Sequence, residues 1–324
     1  MDAPRSPRRL GPFLLGLVAI LLALPVGYFF FLGSPPPAAQ TPPVAVPPVA
    51  SVPPEQQPPP PSTPAVPKLA ELRLQDMRGT VQLRRGGGEW QDAQKGDVLR
   101  ASDSVRTQDG AYAVIIGGEA VEIRMEAGTE VSVAELTDSL SRLLLGNGMT
   151  TVRVKGGAHH VLEMGATGSD AVARSEGGLF TVTSNGAGTV ALASLEGETS
   201  LSGQRKVVIV RAGQQSIVRP GQGPSDPTPI PASLLLKVNW PGRPRRQALV
   251  AGQTDPGTHL LVDGKSVQPD AEGRFSVPVS LKEGKNRVRV SARSVGGLQQ
   301  EEQAELSVDT TPPKGVTVDP GLWK

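Results

Sequence analysis

The chain has 324 residues, with 33 Lys and Arg against 31 Asp and Glu, and it contains no cysteine. A net charge of +2 is too small for nucleic-acid binding by bulk electrostatics, and the absence of Cys excludes disulfide bonds and thiolate zinc sites. The 32 prolines are not spread evenly, so part of the chain must differ from a packed domain.

Residues 10–33 form an uncharged apolar run that follows the basic residues Arg5, Arg8 and Arg9. About twenty apolar residues cross a hydrocarbon core of roughly 30 Å, so the run predicts a transmembrane helix that contacts the lipid bilayer. The arginines predict a cytoplasmic tail over residues 1–9 and place everything after the helix outside the cytoplasm. A cleaved signal peptide is the alternative, although the run is longer than a usual signal-peptide core.

Residues 34–68 are rich in proline, and between Ser34 and Pro67 the only charge is Glu55. Such a segment has no periodic apolar face and cannot bury enough surface to fold, so we predict a disordered linker of extended polyproline II. At about 3.1 Å per residue this linker would reach on the order of 100 Å. A proline-rich docking motif for a partner is the alternative.

Residues 69–222 follow the pattern of β-strands. Short segments rich in Val, Ile, Leu and Thr alternate between apolar and polar residues, and Gly, Asn or Asp separates them. We predict an all-β domain, either a twisted antiparallel sheet or a solenoid-like arrangement. Asn-Gly pairs within Gly146–Gly148 and Ser184–Gly186 predict two-residue hairpin turns. Over Ala134–Leu145 a helix is possible, but we favour a turn and then a strand that folds back at Gly146–Gly148.

Asp97, Asp103 and Asp109 interrupt the strands at regular intervals. Asp side chains bond the neighbouring main chain and therefore favour turns, so we interpret all three as turn residues of a scaffold. A calcium loop is the alternative, but its ligands recur about every second residue. These aspartates are six residues apart, which is too wide.

The order of these motifs resembles the FecR-type domain, a family named for an iron-dicitrate sensor. The family shows a G-x-V strand, a Trp near G-x-x-L, then D-x-V-x-T, an Ala-led strand and a closing V-x-L-x-A-G-Q segment. The similar residues are Gly79, Val81, Trp90, Gly96, Leu99, Asp103, Val105, Thr107, Ala113, Ile115 and Gly118, then Val208, Val210, Ala212, Gly213 and Gln214. Gly118 departs from the pattern because the strand before it is shorter. The resemblance implies a periplasmic β domain of a membrane protein.

Residues 232–309 predict a second β unit of about six strands, with a hairpin turn at Asp263-Gly264. The run from Asp270 to Ala292 resembles bacterial immunoglobulin-like modules of cell-surface proteins, which implies a small β-sandwich. The matching residues are Gly273, Phe275, Val279, Leu281, Gly284, Asn286, Val288 and Val290. Residues 310–324 are predicted to be a C-terminal tail.

Candidate catalytic groups are few. His159 and His160 are adjacent, so in a strand they would point to opposite faces and would not share a metal, and His259 lies at a strand start. No G-x-S-x-G nucleophile elbow is present, and no glycine-rich stretch precedes a helix that could bind phosphate. We therefore predict that the protein is not an enzyme and has no catalytic, cofactor-binding or metal-binding residues.

These features predict a membrane-anchored periplasmic FecR-domain protein of the bacterial inner membrane, which acts as a non-catalytic binding or scaffold module of the cell envelope for a protein or glycan partner. One alternative is a transmembrane signalling regulator related to iron-dicitrate sensors. Another is a peptidoglycan- or polysaccharide-binding protein, although for sugar stacking the second module offers only Trp240 and Phe275, and the latter is expected in the core. Residues 1–9 are too short for a packed domain, so no direct binding of a sigma factor is expected.

Overall fold

The computed structural model describes residues 71–309 apart from Ala158. Every regular element in this part is a strand, which confirms the all-β prediction for it. It contains no helix of the length and apolar character that a membrane crossing needs. The predicted elements outside the described residues are the cytoplasmic tail (1–9), the transmembrane helix (10–33), the proline-rich linker (34–68) and the C-terminal tail (310–324).

Twenty-three strands are present in the described residues, and they belong to two modules. The first module contains β1 (Leu72–Arg78), β2 (Val81–Arg84), β3 (Trp90–Asp92), β4 (Val98–Leu99), β5 (Ser104–Thr107), β6 (Tyr112–Gly117), β7 (Val121–Met125), β8 (Glu130–Leu136), β9 (Leu140–Val154), β10 (Val161–Ala166), β11 (Val172–Ser175), β12 (Gly178–Ser184), β13 (Val190–Gly203), β14 (Lys206–Arg211), β15 (Gln214–Val218) and β16 (Thr228–Pro229). The second module contains β17 (Leu236–Asn239), β18 (Gln247–Thr254), β19 (His259–Val262), β20 (Lys265–Val267), β21 (Arg274–Ser280), β22 (Gly284–Arg293) and β23 (Gln299–Val308).

The first module is one 16-stranded sheet folded into two layers around a single core. The first layer contains β1, β4, β6, β7, β12, β15 and β16, and the second contains β2, β3, β5, β8, β10, β11 and β14. The long strands β9 and β13 belong to both layers. Alternate residues of each layer point inward, so Ile123 and Phe180 of the first layer share the core with Leu143 and Leu162 of the second.

The predicted hairpin at Gly146–Gly148 is wrong, because β9 continues through these residues without reversing. Its first half pairs with β8 and β10 in the second layer, and its second half pairs with β7 and β12 in the first. Gly148 has a φ of +97°, and a Cβ at this position would collide with Thr129. The Gly-Asn-Gly run therefore lets the strand change layers, and Asn147 Nδ2 fixes the bend by donating to the Gly128 oxygen at 2.8 Å.

The chain does reverse at the other two predicted turns, but only the turn at Asp263-Gly264 has the predicted two-residue length. The chain reverses between β12 and β13, but through residues 185–189 and not through a two-residue loop, because Asn185 Oδ1 accepts hydrogen bonds from the main-chain N of Ala187 and Thr189. Asp263 and Gly264 have φ values of +50° and +82°, as a type I′ hairpin requires. The favoured strand after Ala134 is also confirmed, since no helix forms there.

The second module consists of two antiparallel sheets around a core of its own. One sheet has the order β17-β18-β21, and the other has the order β20-β19-β22-β23. Phe275 lies in this core, as its strand pattern predicted, together with Val250, Leu260 and Val290. This core is separate from the core of the first module. The contacts between the surfaces of the two modules therefore determine how the modules are arranged.

Candidate functional site

The surface where the two modules meet, here called the junction, begins at the loop between β18 and β19. Gly257 in this loop has a φ of +77°, and a Cβ there would collide with that of Ala191 on β13. Thr183 Oγ1 donates a 2.6 Å hydrogen bond to the Gly257 oxygen. Further along, Asn185 Nδ2 donates to the Pro269 oxygen at 3.1 Å. The outer face of the first layer therefore receives the second module through main-chain contacts.

A small apolar contact lies beside these hydrogen bonds. Ala191 and Ala193 point outward from β13 and are buried by Val295 of the second module. Ile217 of β15 and Ile230 of the connection between the modules pack against the same cluster. Because alanine side chains are short, the second module can approach the sheet closely at this point.

His259 is the buried polar centre of the junction. It is the first residue of β19, and its Nε2 lies 2.8 Å from the main-chain oxygen of Ala127. A carbonyl oxygen only accepts, so Nε2 carries the proton and the neutral ring is satisfied. Burial lowers the pKa of His259, and the hydrogen bond to Ala127 and the charge of Glu126 oppose this shift in part. Protonation of the ring is therefore less favourable while the modules are docked than in the unfolded chain.

An ion pair accompanies His259. Arg293 is its cross-strand neighbour on β22, and Arg293 Nη1 lies 2.9 Å from Oε1 of Glu126. The same oxygen accepts a 3.1 Å hydrogen bond from Nε of Arg124, whose guanidinium lies 4.8 Å from the ring centroid of Tyr112. His259 and Arg293, which are paired on neighbouring strands of the second module, thus contact Ala127 and Glu126. These two are consecutive residues of one turn in the first module.

Asp109 has a role that its turn pattern did not reveal. Asp97 Oδ2 accepts from Gln94 N and Asp103 Oδ2 accepts from Arg100 N, which confirms the turn interpretation for those two. Asp109 Oδ1 instead accepts a 3.2 Å hydrogen bond from the main-chain N of Ser266 in the second module. Sequence spacing alone carries no signal for this contact, because its partner lies 157 residues later.

Besides a gap of about 10 Å³ beside His259, two larger clefts open along the junction in the described residues. One has a volume of about 190 Å³ and is lined by Ile217, Arg219 and Asp255, among others. The other has a volume of about 300 Å³ and lies between Tyr112 and the strands β22 and β23. Among the residues that line either cleft, the single histidine is His259, whose Nε2 is already used.

Sequence reasoning missed a buried pair between Ser141 and His160. Ser141 Oγ lies 2.9 Å from His160 Nε2, and His160 Nδ1 lies 3.3 Å from the main-chain oxygen of Asp138. The distance suits a nucleophile and its base, but both side chains are at most 2% exposed, so no substrate reaches them. The pair instead fastens the start of β10 to β9. The expectation of two histidines on opposite faces of a strand does not apply, because His159 and His160 precede β10.

The groups that could hold a metal are dispersed. Within residues 71–309 no three His, Asp or Glu side chains are placed to share an ion. His160 and His259 lie in different modules and each bonds a main-chain oxygen.

No family model and no curated protein matches the chain. Two crystal structures of a "putative anti-sigma factor" from Parabacteroides distasonis ATCC 8503 are similar, at 14% and 15% identity. Each match covers 44% of this chain and 68% of the chain in the crystal structure, with a TM-score of 0.34. A likeness at this level assigns neither fold nor function to the chain.

Proposed function

We propose that the protein is a membrane-anchored, non-catalytic scaffold of the bacterial cell envelope, in which two β modules form one rigid body and present a binding face to a protein partner. Residues 10–33 would hold it in the inner membrane, with the modules on the periplasmic side. The apolar run and the arginines before it support this location.

The observation that carries the binding role is an apolar face on the second layer of the first module. Val207, Ile209 and Leu144 are 63%, 43% and 39% exposed, and they are three of the four large hydrophobic side chains that are exposed in the described residues. Surface residues of this kind mark interaction sites when they are contiguous.

The pairing of the strands places Val207 and Leu144 in one row across the second layer, whereas Ile209 is opposite Ser200 in the neighbouring row. Val207 is opposite Ser202, Ser202 is opposite Val172, and Val172 is opposite Gly165. Gly165 in turn pairs with Leu144. The residues between the apolar ones in this row, Ser202 and Gly165, have small side chains or none.

A charged row borders the apolar one. Glu163 on β10 lies between Arg142 and Arg174, with N–O distances of 2.9 and 3.1 Å. An apolar centre with a polar border is the usual composition of a protein interface.

The proposal that the protein is not an enzyme rests on how its candidate groups are used. His160 and His259 both bond main-chain oxygens from buried positions, and Ser141 is closed to solvent. In these positions the groups serve folding and docking.

A test would place a photo-crosslinking residue at Leu144 or Val207 of the full chain in intact cells. A discrete covalent adduct with an envelope protein is expected at both sites, and none is expected at Gln91, an exposed residue of β3 outside the apolar row. Alkaline phosphatase fused after Lys324 should be active. Equal labelling at all three sites, or an inactive but stable fusion, would contradict the proposal.

A further inference from the structure

The connection between β17 and β18 carries a concentration of unpaired positive charge. We call residues 241–246, with the sequence PGRPRR, the basic loop. Its three arginines, Arg243, Arg245 and Arg246, are all exposed. None of them forms an ion pair with a described residue, whereas Arg142 and Arg274 are each held by two carboxylates.

The basic loop is held in place at both ends. Trp240, just before it, packs against the core of the second module. At its end, the Arg246 oxygen accepts a 2.8 Å hydrogen bond from the main-chain N of Leu281. Leu281 is followed by two exposed residues of opposite charge, Lys282 and Glu283. Two prolines restrict the backbone further, so the cations are presented in a limited set of arrangements.

The basic loop lies at the end of the module that is remote from the junction. Strand β18 leads from Gln247, next to the basic loop, to Thr254, next to the loop between β18 and β19 that contains Gly257. Eight residues at about 3.3 Å each separate the two ends by on the order of 25 Å. Docking of the modules therefore leaves the arginines accessible.

We infer that the basic loop binds the phosphate groups of anionic lipid headgroups at a bilayer surface. Arginine presents a planar fork of donors that matches phosphate oxygens, and these arginines have no carboxylate partner in the described residues. The inference rests on the proposed location of the protein at a membrane, but it concerns a second contact that is separate from the anchor.

A lipid surface suits the loop better than a protein does. A specific protein interface needs roughly 800 Å² per partner with an apolar centre. The nearest exposed large hydrophobic residue, Leu249, lies on β18 and not in the loop. A charged membrane surface requires only accessible cations, and each of them strengthens binding about fivefold.

The test uses the full chain with one label on the loop. The protein has no cysteine, and Gly242 has open space around it, so Gly242→Cys accepts a single fluorophore. The chain is reconstituted with vesicles of phosphatidylcholine alone or mixed with phosphatidylglycerol, each containing a headgroup quencher. Quenching is expected only with phosphatidylglycerol, and it should decrease in high salt or with added inorganic phosphate.

The matched variants carry the same loss of charge at different places. Replacing Arg243, Arg245 and Arg246 with Gln should weaken the lipid-dependent contact on the order of 100-fold. The control replaces Arg73, Arg78 and Arg205 with Gln, which are exposed arginines of the first module, and should leave the quenching unchanged.

The outcomes separate the inference from the location on which it rests. Failure of the chain to float with neutral vesicles would contradict the anchor alone. Equal quenching in both lipids, or equal losses in both triple variants, would overturn the inference. Crosslinking of the loop to an acidic protein without any dependence on lipid would also overturn it, in favour of a protein partner.

Discussion

His259 in the second module donates a hydrogen bond to the main-chain oxygen of Ala127 in the first, across 132 residues of sequence and a distance of 2.8 Å. This bond joins the buried start of β19 to the turn between β7 and β8. Docking buries this imidazole and thereby lowers its pKa, although the bond to Ala127 itself favours the protonated ring, so docking should be sensitive to protonation of His259.

Stability should therefore depend on pH through His259. Its folded-state pKa is lowered, so as the pH falls the unfolded chain binds the proton first. The stabilisation is complete above the unfolded pKa of about 6.5 and is lost as the pH falls through the folded pKa. We expect a lower Tm at pH 5 than at pH 7.5 in thermal unfolding of the full chain.

The variant His259→Gln keeps a donor but cannot titrate, so its decrease in Tm between the two pH values should be smaller. His159→Gln, at an exposed position, should behave as the unmodified chain does. An identical pH dependence in all three proteins would show that His259 does not control this transition.

Gly257 should not tolerate a side chain. Its positive φ and the collision with Ala191 predict that Gly257→Ala destabilises the docked state by about 1–3 kcal/mol. Gly242→Ala is the control, because its added Cβ meets no atom within 4 Å. Urea unfolding measures both, and equal free energies of unfolding for the two variants would contradict this account of the junction.

Gly148 should be more sensitive than Gly146, although both belong to the same Gly-Asn-Gly run. Gly148→Ala introduces a Cβ that collides with Thr129 at a positive φ, so a loss of at least about 2 kcal/mol is expected. At Gly146 the nearest atom to an added Cβ is 3.5 Å away, in Glu130, which is an ordinary contact. If Gly146→Ala lowered the free energy of unfolding in urea more than Gly148→Ala does, the position at which β9 changes layers would be misassigned.

Ser141 should behave as a structural residue. Ser141→Ala leaves the buried Nε2 of His160 without its partner, so a loss of about 1–3 kcal/mol is expected. A fluorophosphonate should not label Ser141 in the native chain, because both side chains are buried. Rapid labelling that disappears in Ser141→Ala would instead identify a reactive nucleophile.

The sequence predicted the features that depend on local chemistry. Alternation of apolar residues identified the strands, and Asp263-Gly264 identified a tight turn, because positive φ at two consecutive positions is a local requirement. Asp97 and Asp103 were also interpreted correctly, since each accepts a turn hydrogen bond from a main-chain N three residues earlier.

The features that were missed depend on distant partners. The Gly146–Gly148 run has the composition of a hairpin, and it became a bend because β8 and β12 pair with opposite ends of β9. The contacts of Asp109 and His259 with the other module give no periodic signal. The apolar face around Leu144 follows from the register of several strands, which alternation within each strand does not determine.

If the two modules form one rigid body, as proposed above, the distance between a residue of one module and a residue of the other is fixed. Because the chain has no cysteine, Lys95→Cys and Gln303→Cys place one spin label on each module at exposed positions. Pulsed electron paramagnetic resonance should give a single narrow distance distribution, which broadens when Gly257→Ala is added. A broad distribution in the chain with an intact junction would contradict the claim.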